Sequence, residues 1–255
     1  MLRQWRRPLP GLLAPLLILA ISTRTQPVQA NPTEPSCPLA SASEPIRSPA
    51  APPPAVAPQT DAARKGLQAP PDYRQVLTST PYGWPRLDGW CVWIEPLSSS
   101  GTPDPWEQRW LLAVEAALER WQRLLPIRRV VDPAAAQVRI RRQRPPLRQE
   151  PDGRMRASHG RAILELRTVT RNGLPLLEPS VDVLLSPGQR PQAIQATALH
   201  ELGHAFGLWG HSDHPGDAMA TTPGPTPILE LSPRDQATLR WLYGQPTRFG
   251  LPLTR

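Results

Sequence analysis

The chain has 255 residues, enough for one medium domain with appendages. Its 36 prolines are far above average usage, so part of it is not expected to form a packed core. Of the formal charge of +8, four arginines (Arg3, Arg6, Arg7, Arg24) fall in residues 1–30 with no acid; removing these four leaves 25 basic against 21 acidic residues, about +4, which argues against a nucleic-acid partner.

Residues 1–30 read as a secretory signal peptide. Arg3, Arg6 and Arg7 form a positive start, Gly11 to Ile21 an apolar run, and Val28-Gln29-Ala30 a small-residue cleavage site. The run is short of the ~20 residues a transmembrane helix needs, so a membrane is involved only if the signal is not cleaved. The expected location is outside the cytoplasm, secreted or at the cell envelope. Residues 31–72 are rich in Pro, Ala and Ser and read as a disordered linker or pro-region. The two cysteines, Cys37 and Cys91, are expected to pair in an oxidising compartment.

The folded part is expected over residues 73–255. Trp90 to Glu95 alternates as a strand, and Pro105 to Leu125 carries apolar residues at helical spacing. Ile127 to Val131, Ala136 to Arg141, Ala162 to Val169 and Val181 to Leu185 read as four further strands. Pro191 to Leu208 and Pro233 to Tyr243 read as helices, the second capped by Ser232 with Asp235 three residues on. The fold class is α+β, with a five-stranded mixed sheet, a long helix, a helix bearing the site and a C-terminal helix. The arginines between Arg139 and Arg171 read as a solvated face.

The chemistry concentrates in Ala198 to Met219, ALHELGHAFGLWGHSDHPGDAM. His200 and His204 are four apart on a helix, so both imidazoles leave one face and can reach one zinc ion. Glu201 lies beside them, placed to act as a general base on a zinc-activated water. A third ligand is needed. Gly207 can end the helix in a left-handed conformation and return His211 to the metal, with His214 as the competing ligand.

This segment resembles the metzincin zinc proteases, whose signature is HExxHxxGxxH followed by a methionine turn. Within them it is most similar to the matrixins: Ser212 follows the third His, Met219 in GDAM falls at the methionine turn, and LSPRDQATLRWLYG resembles the closing helix. The ending is also similar to that of a group of uncharacterised bacterial peptidases. The resemblance covers residues 84 to 244. It implies a metzincin-like zincin fold, zinc held by His200, His204 and His211, catalysis by Glu201, and Met219 as a floor beneath the metal. It also implies an extended peptide substrate on the strand Ala162 to Val169, with Thr221 to Leu231 walling the specificity pocket, and a monomeric secreted endopeptidase.

The chain departs from the family in places. Leu208-Trp209-Gly210 is one residue longer than the family spacing, an insertion that Gly210 can absorb by adopting a positive φ. Only His159 lies outside the motif, so no second zinc site is expected, and no calcium loop is present. Cys37 in PSCPLA does not match the matrixin latch motif, which favours a disulfide over a thiolate on the metal. The rival readings are a pseudoprotease that binds without cleaving, and an envelope protein with a structural zinc site closed by a fourth ligand such as His214 or Asp213.

Overall fold

A computed structural model describes residues 36–46, 71–98, 104–149, 153–222 and 224–253, all within the compact unit Pro32–Arg255. The signal sequence expected over residues 1–30 lies outside the described residues, as does the stretch 47–70. No helix among the described residues is long and apolar enough to cross a membrane.

The elements run β1 (Ala40–Pro45), β2 (Trp90–Ile94), α1 (Pro105–Gln122), β3 (Ile127–Val130), β4 (Val138–Arg141), β5 (Arg148–Gln149), β6 (Met155–Arg156), β7 (Gly160–Arg171), β8 (Leu174–Leu185), α2 (Pro191–Ala205) and α3 (Pro233–Tyr243). The class is α+β, as expected. The main sheet has six strands rather than five, in the order β1-β7-β8-β4-β2-β3. The pairs β2–β3, β2–β4 and β4–β8 are parallel, while β7 and β1 run antiparallel to their neighbours.

Strand alternation explains the core. Trp90, Val92 and Ile94 point to one face of the sheet, where they meet Trp110, Val114 and Trp121 of α1 and Leu199 and Leu202 of α2. The Trp121 indole donates to the Leu199 carbonyl at 3.1 Å, tying α1 to α2. Asp104 opens α1 by accepting from the Trp106 N–H at 2.9 Å, and Ser232 opens α3 in a complete capping box with Asp235.

Two expectations are corrected. The stretch 31–72 is not wholly linker, because β1 lies within it. Its ASASEP sequence offers no hydrophobic alternation, and its side chains are mostly exposed. Backbone pairing to Arg167–Arg171 holds it instead, together with the Cys37–Cys91 disulfide (Cα–Cα 5.8 Å). That disulfide also takes Cys37 out of contention as a latch on the metal. Second, β7 and β8 form a hairpin of twelve residues a side, longer than the predicted pair, turning at Asn172 (φ 50°) and Gly173 (φ 77°).

Several arginines of this region are paired, while Arg148 and Arg156 face each other across β5 and β6 on an exposed surface. Arg139 and Arg141 hold Asp182, Arg142 meets Glu107, and Arg171 forms a buried ion pair with Glu178.

Candidate metal centre

α2 carries His200 and His204 one turn apart on the face away from its buried stripe of Ile194, Ala198, Leu199 and Leu202. α2 ends at Ala205, short of the expected Leu208, but Gly207 turns the chain as expected: it has φ 107°, and its N–H bonds the His204 carbonyl at 3.0 Å. The chain then reverses through Leu208-Trp209-Gly210 and returns His211 to the two helical imidazoles.

The inserted residue is absorbed differently from the expectation. Gly210 does not adopt a positive φ. It is needed for space, since a Cβ there would fall 2.3 Å from the Val76 carbonyl oxygen. The loop is pinned beside it by the Thr78 N–H, which donates to the Trp209 carbonyl at 2.8 Å. Trp209 stacks on His204, with centroids 5.4 Å apart and rings 20° from parallel.

The three imidazoles meet. Their ligand nitrogens lie within 4.8 Å of one another, and Nε2 of His204 is 3.2 Å from Nε2 of His211. Two nitrogens bound tetrahedrally at ~2.0–2.1 Å to one ion sit about 3.3 Å apart, so the spacing suits a shared metal. The tautomers agree. Nδ1 of His200 is 2.8 Å from the Ala218 carbonyl, and Nδ1 of His204 is 2.8 Å from the Leu208 carbonyl. A carbonyl only accepts, so both Nδ1 atoms carry the proton and both Nε2 lone pairs remain for a ligand. Burial lowers His200 to about 4 and, with the neighbouring imidazoles, His204 to about 3, so both are neutral at pH 7. Burial also lowers His211. These three histidines can hold one metal ion.

The competing ligands are engaged elsewhere. His214 is half exposed beside Asp217, accepting from the Gly216 N–H at 3.2 Å, and Asp213 pairs with Arg234 at 3.1 Å.

Glu201 points from α2 toward β7, where one carboxylate oxygen accepts from the Ala162 N–H at 2.8 Å. Desolvation raises its pKa to about 7, against the opposing pull of that N–H and of Arg161. Gly160 permits this approach, since a Cβ there would fall 2.7 Å from Glu201 Cγ.

Met219 is fully buried against the turn of α2 that carries His200 and His204. Its sulfur occupies space left open by Gly203, where a Cβ would lie 2.2 Å away. The Ala218–Met219 turn itself is clamped by Asp235, which is fully buried and accepts from the N–H groups of Ala218 (2.8 Å) and Met219 (3.4 Å) and from the Tyr73 hydroxyl (2.7 Å). Asp217, also buried, joins Ser212, Ser232 and Arg234 and so ties the residue after His211 to the cap of α3. The capping box makes Asp235 visible in the sequence as a helix cap. Its hold on the Met219 turn, like the Asp217 network, depends on contacts distant in the chain.

No protein-family model matches the chain, and no curated protein does.

Proposed function

We propose that the chain is a zinc-dependent endopeptidase of the metzincin type, matrixin-like in its domain. The observation that carries this reading is the meeting of three neutral imidazoles beside a carboxylate whose proton affinity is poised near pH 7. Three histidine nitrogens, two of them on rings whose Nδ1 carries the proton, suit zinc, and a three-ligand set leaves a position for water and substrate. The structural-site rival needs a fourth protein ligand, and its two candidates, Asp213 and His214, are engaged elsewhere.

His200, His204 and His211 would hold the zinc ion, which would supply Lewis acidity toward the scissile carbonyl and lower the pKa of a water molecule. Glu201 accepts a proton from that water as its oxygen bonds the carbonyl carbon, then delivers it to the amine as the C–N bond breaks. The Ala218 and Leu208 carbonyls hold the two helical imidazoles in the tautomer that faces the metal. Met219 packs against the helical turn between His200 and His204, and Asp235 holds the Met219 turn in place.

The substrate of this reading is an extended peptide that adds to the outer edge of β7 beside Glu201, with the chain from Thr221 to Leu231 forming the wall of its pocket. Export through residues 1–30 accords with the Cys37–Cys91 disulfide, which persists in an oxidising compartment. The enzyme acts as a monomer.

Metal removal tests the assignment. Casein hydrolysis by the purified protein is expected to cease on treatment with a chelator and to return with zinc. Hydrolysis unaffected by a chelator that has removed the metal would rule out the proposal.

A further inference from the structure

The outer edge of β7 is divided in two. β1 covers its second half, from Arg167 to Arg171. Along the first half, Gly160–Glu165, no strand pairs on the outer side among the described residues. Just past β1, the Ile46 N–H donates to the Leu166 carbonyl at 2.8 Å, which carries the covered half to Leu166.

The open half is aligned with the site. The Ala162 N–H leaves the sheet on the outer side to meet Glu201, and the Leu166 carbonyl leaves on the same side to meet Ile46. Strand alternation therefore turns the N–H and C=O of Leu164 outward as well. Only Ile163, Leu164 and Glu165 separate the level of Glu201 from the end of β1. At ~3.3–3.4 Å per residue, a paired strand has room for about three residues there.

β1 is a fixed obstacle. Its anchor is the Cys37–Cys91 disulfide, Cys91 lying on the sheet face opposite the helices. Arg167 donates to the Ser43 carbonyl at 2.8 Å and to its hydroxyl at 2.6 Å. Arg171, buried with Glu178, donates to the Pro38 carbonyl.

We propose that β1 is a built-in stop for the substrate strand: it ends the docking edge at Leu166 and limits paired recognition to about three residues on the N-terminal side of the cleaved bond. The inference rests on the peptidase reading. The direction follows from β1 itself, which is antiparallel to β7. A peptide entering in the same sense, the more stable sense for a two-strand ladder, turns its N-terminal end toward Ile46. The preferred substrates are thus peptides whose determinants lie close to the bond, and residues farther upstream contribute no pairing.

The test is a series of synthetic peptides sharing one cleaved bond, with two to six residues preceding it, given to the zinc-loaded full chain. The expected kcat/KM rises roughly two- to tenfold for an added paired residue up to the third and stops rising from the fourth onward. In a variant that frees β1, with Cys37→Ser and Cys91→Ser combined with Ala42→Pro, the rise is expected to continue past the third. A steady rise through the fifth residue in the wild type overturns the stop while leaving the peptidase intact. So does a plateau that stays at the third residue once β1 is released, or one found only on the C-terminal side of the bond. Failure of the zinc-loaded chain to cleave any member of the series overturns both readings.

Discussion

Gly203 and Met219 fit only as a pair: the methionine sulfur lies 2.2 Å from the place a Cβ on residue 203 would take. The glycine stands between the two helical histidines, so the packing of one sulfur sets how the ligand-bearing turn sits. Gly203→Ala is expected to destabilise the protein by about 1–3 kcal/mol through overpacking. Removing the sulfur as well, in Gly203→Ala with Met219→Ala, is expected to cost clearly less than the sum of the single changes. Denaturant unfolding of the three variants measures this coupling, and strict additivity would show that the contact does not set the cost.

Gly210 carries the return of His211. Gly210→Ala drives a methyl into the Val76 carbonyl, which is backbone and cannot rotate away. The expected result is a loss of zinc affinity of about 10- to 100-fold, the size associated with disturbed support of a ligand. Gly188→Ala is the control, since a Cβ there meets nothing within 4 Å. Competition with a chromophoric chelator reads both, and equal affinities would remove Gly210 from the account.

The pKa of Glu201 makes a signed prediction for protein stripped of metal. Desolvation raises this carboxyl from its ordinary 4.5 to about 7. The fold thus favours the protonated form, and that contribution is complete below pH ~4.5 and lost as pH rises through about 7. Glu201→Gln keeps the shape without the charge. It is expected to be more stable than the wild type by about 1–3 kcal/mol at pH 8, with the gap closing toward pH 4.5. Thermal unfolding across that range measures it, and a gap that widens in acid would reverse the sign.

The parts of the site legible in the sequence are those fixed by local spacing. His200, Glu201 and His204 share a helical turn, Gly207 ends it, and Ser232 with Asp235 announces α3. Met219 enters only through the resemblance to the metzincin methionine turn. What escaped depends on partners far away in the chain. The strand β1 is built from Ala, Ser, Glu and Pro, and is held by backbone pairing and a disulfide, so it has no hydrophobic pattern to detect. Pro175 and Pro179 argue against a strand, yet β8 runs through both. With the Ala162 N–H facing outward, their partners Thr170 and Leu166 fall at positions where β8 owes β7 no N–H, so proline is tolerated there. Gly160 and Gly210 are required by close approaches to Glu201 and Val76, which spacing alone does not reveal.

The central claim is that three histidines hold zinc while Glu201 moves the proton. Zinc content and casein hydrolysis, measured side by side on the wild type and Glu201→Ala, test it most directly. The account predicts about one equivalent of zinc in each, hydrolysis by the wild type and a loss of at least about 10²-fold in the variant. A wild type that retains no zinc, or a Glu201→Ala variant that hydrolyses casein at the wild-type rate, would contradict it.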